Sequence, residues 1–166
     1  RGFFSTEARI TKDGTAYVID PCCRLPSPPS QLYWIMISNW ADILWEGAAG
    51  TVVDPKLEAK WGAELILTSD WATTNWQPIA FPDDVRDNVR ITNLTMIEGK
   101  YYFVPQDIEM PEIGGVAALG DTMEEAIKAV REIAEEVEGY CIETNAGALD
   151  AAKDQVEKLK EFGIEL

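Results

Sequence analysis

The chain of 166 residues carries 14 basic and 29 acidic side chains and no histidine, for a formal net charge of −15 at pH 7. That balance argues against nucleic-acid phosphates or a membrane surface as partners, and the missing histidine excludes a Ser-His-Asp triad, a Cys-His pair and His-bound zinc. With 46% apolar and 26% charged residues, the composition is globular and the length suffices for a buried core.

Cys22, Cys23 and Cys141 are an odd count, and two are sequence neighbours, so no disulfide framework is expected. A reducing, cytoplasmic compartment fits that usage. The sequence opens on Arg1 inside a strand-like run, which reads as a fragment or a processed chain. No basic segment followed by a short apolar one is present, so no signal peptide is expected.

Residues 2–11 alternate at period two, with Phe4, Ala8 and Ile10 on one face and Glu7 and Arg9 on the other. Asp13-Gly14 marks a hairpin turn, and residues 16–20 form the return strand. The proline-rich run 26–29 stops it. Residues 31–45, apolar nearly all round, predict one buried helix capped by Ser30 and ended near residues 47–50. Its uninterrupted apolar run, 32–37, is too short to cross a bilayer. Trp34, Trp40 and Trp45 then read as core or interface anchors, and Trp71 and Trp76 as loop aromatics.

Short strands are predicted over 63–69, 89–97, 100–106 and 114–120, with a loop or one helical turn over 81–88. Thr122 and Glu125 form a capping box before a helix. Its apolar stripe is Met123, Ala126, Ile127, Val130, Ile133, Ala134 and Val137. Glu124–Lys128 and Arg131–Glu135 are its expected surface pairs. A last helix over 148–162 places Leu149, Ala152, Val156 and Leu159 on one side, and Cys141 reads as a small buried residue. No internal repeat appears.

If Asp13-Gly14 centres a two-residue turn, Ile10 faces Tyr17 and Glu7 faces Asp20. Like charges opposed on a sheet are destabilising, so a neutralising group is needed. A hard divalent cation would serve. Arg9, on the Glu7 face and diagonal to Asp20, would balance the pair as a solvated ion cluster, and spacing alone favours that reading over a metal. Asp20, Cys22 and Arg24 share parity, which aims two carboxylates and a cationic clamp at one place. Cys22 and Cys23 read as small strand-end residues rather than a redox pair.

Residues 1–29, "RGFFSTEARITKDGTAYVIDPCCRLPSPP", resemble the closing part of an ATP-grasp domain, where a strand, a turn and a second strand deliver acidic ligands and a Glu-x-Asn-x-Arg run. Asp20 stands in the Glu position, Cys22 in the Asn position and Arg24 in the Arg position, with Glu7 as the first acidic ligand. Residues 58–78 and 114–140 resemble the C-terminal part of the phosphoribosylamine–glycine ligase family of purine biosynthesis. The resemblance covers roughly residues 1–140. The family's Gly-Asp-Pro-Glu is replaced by Pro26, Ser27, Pro28 and Pro29.

The resemblance implies an α+β fold, with the end of an ATP-grasp domain over 1–50 and a small β-rich domain with terminal helices over 51–166. It implies a C-terminal fragment of an ATP-dependent carboxylate–amine ligase working through an acyl-phosphate. Glu7, Asp20 and Cys22 would hold Mg²⁺ or Mn²⁺. Asp20 and Arg24 would bind ATP, with Arg24 as the catalytic contact to phosphate. Partners would be a nucleotide and a small carboxylate and amine in the full-length protein, and a homo-oligomer stays open. The isolated chain would not turn over. The alternative is a degenerate, non-catalytic module kept for assembly or partner binding.

Overall fold

The computed structural model describes residues 2–28, 30–106 and 112–164. Arg1 and Pro29, both used in the sequence reading, lie outside them. Strands β1 (Ser5–Ile10) and β2 (Ala16–Cys22) pair antiparallel as a two-stranded sheet of their own. Helices α1 (Ser30–Met36) and α2 (Trp40–Ala49) follow, then an extended stretch leads into β3 (Trp61–Thr68). The remaining strands are β4 (Gln77–Ile79), β5 (Val89–Ile91), β6 (Leu94–Ile97), β7 (Lys100–Phe103), β8 (Glu112–Gly120) and β9 (Glu143–Thr144). Helices α3 (Met123–Glu135) and α4 (Gly147–Leu159) complete the chain. One sheet has the order β5-β8-β3-β9 and the other β4-β7-β6, with every pairing antiparallel. Among the described residues every strand pairing is antiparallel and the helices pack against the sheet, an α+β arrangement.

The core sits on one face of β3. Ala63, Leu65 and Leu67 alternate inward and meet Val116 and Ala118 of β8 and Ala126, Ile127 and Val130 of α3. Strand β8 is buried from Ile113 to Ala118, because its other face is covered by α1, and so it reads as a continuous apolar run. The Thr122–Glu125 capping box is formed in both directions: Thr122 Oγ1 accepts from Glu125 N–H at 3.2 Å, and Glu125 Oε2 accepts from Thr122 N–H at 3.0 Å.

Several expectations are corrected. The helix foreseen over 31–45 breaks at Ile37–Asn39. Asn39 is buried at the corner, where its amide donates to Asp54 O (3.0 Å) and its Oδ1 accepts from Lys56 N–H (2.7 Å). The backbone there leaves the helix to pair with residues 56–58 instead: Ser38 N–H donates to Lys56 O and Glu58 N–H to Met36 O, both at 2.9 Å. Nor is the second half buried: α2 holds no buried residue and Trp45 is 80% exposed. The strand expected over 89–97 is split by a turn at Asn93, whose φ is +47°. On α3, Lys128 pairs with Glu132 rather than Glu124, and Arg131 reaches across to Asp150 of α4 at 2.9 Å rather than to Glu135. Cys141 is exposed, at φ +51°, and all three cysteines are free.

Candidate functional site

The hairpin is built differently from the two-residue turn expected, yet it delivers the same pair. Thr11 N–H donates to Thr15 O (3.0 Å) and Gly14 N–H to Thr11 O (2.9 Å), so residues 12–14 form the loop, with Gly14 at φ +82°. Only glycine adopts that angle without strain. The Thr11 hydroxyl donates to the Asp13 carboxylate and holds its pKa below the usual value. The longer loop shifts the register by one: Ile10 faces Ala16, not Tyr17, and Ala8 faces Val18. A β-bulge then leaves Ile19 without a partner and restores Glu7 opposite Asp20. Bulges commonly re-aim side chains in this manner.

Glu7, Asp20, Cys22 and Arg24, the four residues singled out in the sequence, line one open pocket of ≈ 290 Å³, walled by Pro26 and Pro28. Inside it, Cys22 Sγ donates to Asp20 Oδ2 at 3.1 Å. That hydrogen bond, with Asp20's negative charge behind it, pushes the Cys22 thiol pKa up. Glu7 pairs with Arg9 at 3.1 Å, both exposed, so the solvated ion cluster is part of the arrangement. The Arg24 guanidinium donates to Leu25 O (3.0 Å), and its own carbonyl accepts from Ser5 Oγ (2.9 Å), which ties the loop after β2 back to β1.

These residues can be weighed against a magnesium–nucleotide. Mg²⁺ is ordinarily held by one or two carboxylates together with substrate phosphates. Two carboxylates opposed across a bulged hairpin, in an open pocket with a guanidinium on its wall, fit that requirement. Cys22 does not: a thiol kept protonated by Asp20 is a soft donor and no ligand for Mg²⁺. Consistently, among the described residues no three Cys, Asp or Glu side chains are arranged to hold a metal ion by themselves.

A larger cavity, ≈ 590 Å³, lies beside β4 and β7, lined by Ile79, Phe81, Tyr101 and Tyr140, with Phe81 and Tyr101 stacked at 5.6 Å. Asp83, Lys100 and Glu138 also line it. Its walls come from short strands of which β4 was not foreseen. Glu64 was also missed. It is an acidic residue within an otherwise apolar strand, and that interruption of the pattern is the signal that could have found it.

No protein-family model and no curated protein sequence matches the chain. Among solved structures it is similar to phosphoribosylamine–glycine ligase from Thermotoga maritima, with a TM-score of 0.67 and 18% identity over 87% of this chain and 36% of that one. The chain thus spans about a third of that enzyme's length, and at this identity the likeness is one of fold. What the chain shares with that structure is its fold, over about a third of the enzyme's length.

Proposed function

We propose that the chain is the C-terminal part of an ATP-dependent carboxylate–amine ligase. The observation that carries this reading is the convergence of Glu7, Asp20 and Arg24 on one pocket, in a chain whose fold is similar to that of phosphoribosylamine–glycine ligase. Residues 1–50 end the ATP-binding domain and 51–166 form the accessory domain. In the complete protein Glu7 and Asp20 would hold the divalent cation that accompanies ATP, and that cation would neutralise phosphate charge. Arg24, on the pocket wall, leaves its single carbonyl contact to bind a terminal phosphate oxygen. Substrate carboxylate oxygen attacks the γ-phosphorus and ADP leaves. An amine nitrogen then attacks the acyl carbon, inorganic phosphate departs and the amine proton goes to solvent. Cys22 is not a ligand; its thiol takes up one carboxylate oxygen of Asp20.

Among the described residues no helix is long and apolar enough to cross a membrane, and a cytoplasmic enzyme of small-molecule metabolism suits the proposed substrates. A second reading is favoured by the thiol on Asp20: a degenerate module that has lost its cation and serves assembly. Titration calorimetry of Mg–ATP into the complete gene product separates the two. Saturable binding that is lost in Asp20→Asn supports the ligase; absence of binding in the unmodified protein sinks it.

A further inference from the structure

The ≈ 590 Å³ cavity beside β4 and β7 shares no lining residue with the hairpin pocket and takes no part in the proposed reaction. Its lining is largely apolar. Ile79 is buried, and the half-buried rings of Phe81 and Tyr101 lie nearly parallel, with an interplanar angle of 7° and centroids 5.6 Å apart. Such a pair offers a flat apolar face to a further ring. Arg86, which does not line the cavity, is engaged over the Tyr101 ring at 5.8 Å. Beside these rings stand three charges of both signs, Asp83, Lys100 and Glu138. All three are exposed, and among the described residues none forms an ion pair or a side-chain hydrogen bond. Opposite charges left unpaired around an aromatic surface match a ligand that carries one ammonium, one carboxylate and a flat apolar body.

The walls are fixed by the backbone. Glu98 and Gly99 both have positive φ (+50° and +77°) in the tight turn between β6 and β7, which delivers Lys100 at the head of β7. Ile79 pairs with Tyr101 across β4 and β7. Just past β4, Ala80 and Glu138 exchange two backbone hydrogen bonds, at 2.9 and 2.8 Å, which pin Glu138 to this wall. Gly139 is required next, because a Cβ there would lie 2.4 Å from Ile142 Cδ1 and 2.6 Å from Gln77 Nε2. The Tyr140 carbonyl then accepts from buried Ser69 (2.9 Å) and buried Gln77 (2.8 Å). A cavity of this size, mostly apolar, with a few polar groups and walls formed in advance, is the common form of a small-molecule site.

We propose that this cavity binds a free α-amino acid with a large aromatic side chain. The side chain lies against Phe81 and Tyr101, the ammonium group is met by Asp83 and Glu138, and the carboxylate by Lys100. The site does not depend on the ligase reading. Titration calorimetry on the full chain with L-tryptophan tests it, beside tryptamine, which lacks the carboxylate, and indole-3-propionate, which lacks the ammonium. L-Tryptophan is expected to bind saturably and to shift the amide resonances of Phe81, Tyr101 and Tyr140. Lys100→Gln should weaken L-tryptophan about tenfold, the scale of one hydrogen bond to a charged group, and leave tryptamine within about twofold. Asp83→Asn combined with Glu138→Gln should weaken L-tryptophan and tryptamine by about tenfold or more and leave indole-3-propionate within about twofold. All three positions are exposed, so these variants keep the fold. No saturable binding of L-tryptophan below about 10 mM, resonance shifts confined to other parts of the chain, or affinities indifferent to the charge variants would overturn the proposal and leave three solvated charges. Absence of Mg–ATP binding would remove the ligase reading and leave this result standing.

Discussion

Asp20 holds two relationships at once: it opposes Glu7 across the hairpin and accepts the Cys22 thiol proton. The second takes up one of its two carboxylate oxygens. Replacing that thiol with the amide of Cys22→Asn supplies a hard carbonyl oxygen in its place. We expect Mg–ATP to bind the complete Cys22→Asn protein about tenfold more tightly by calorimetry, the scale on which groups around a metal site act. Unchanged affinity would place Cys22 outside the site. Glu64 makes a pH prediction. Burial lifts its pKa above the ordinary carboxylate value, Leu32 N–H opposes the rise, and Glu112 on β8 adds to it. The α1 sequence carries no charged side chain against it. A carboxyl whose folded-state pKa is raised favours folding while protonated, so its contribution is full below the unfolded value and is lost as pH rises through the folded one. Denaturation midpoints should therefore fall less steeply between acid and neutral pH in Glu64→Gln than in the unmodified chain. An identical pH slope would contradict the assignment.

Among the elements, legibility followed how local each cause was. Helix α3 was readable because its cap and its apolar stripe are local to it, while its ion pairs, one of them to Asp150 of α4, were not, and Thr122→Ala should cost about 1 kcal/mol in chemical denaturation. The break between α1 and α2 was not readable. Its cause is Asn39 bonding to Asp54 and Lys56, residues 15 and 17 positions away in the chain. Asn39→Ala leaves Asp54 O and Lys56 N–H unsatisfied and should cost about 2 kcal/mol; a cost near zero would show that solvent replaces the amide. The hairpin was legible in outcome but not in detail. The expected register failed at Ile10 and the bulge at Ile19 rescued the pairing of Glu7 with Asp20. Parity arguments survive two compensating shifts but cannot foresee them. The pocket residues were found because carboxylates and an arginine at matched parity are visible locally. Glu64's contact was not, because its partner Leu32 lies 32 residues away.

Over the whole molecule, charge and apolar exposure are unevenly shared. Residues 1–60 carry six basic and seven acidic side chains, against eight and 22 in residues 61–166. The near-neutral part also displays Phe4, Tyr17, Val18, Ile19 and Trp45 to solvent. A two-stranded hairpin without a covered face is marginal, whereas β3 and β8 are enclosed between α1 and α3. Amide exchange on the 166-residue chain should therefore be fastest in β1 and β2 and slowest in β3 and β8. Uniform protection would mean that the hairpin is stabilised by contacts other than those described. The fold match spans about a third of a ligase; under the proposed function, the exposed hairpin is the edge of a larger nucleotide-binding unit. The central claim is that its two carboxylates hold the nucleotide's cation, and electron paramagnetic resonance with Mn²⁺–ATP and the complete gene product tests it most directly. We expect the solution Mn²⁺ signal to fall as protein is added, and to remain when either Glu7→Gln or Asp20→Asn is added instead. A signal quenched equally by the unmodified protein and by both variants would place the cation elsewhere, and one quenched by none would remove the site.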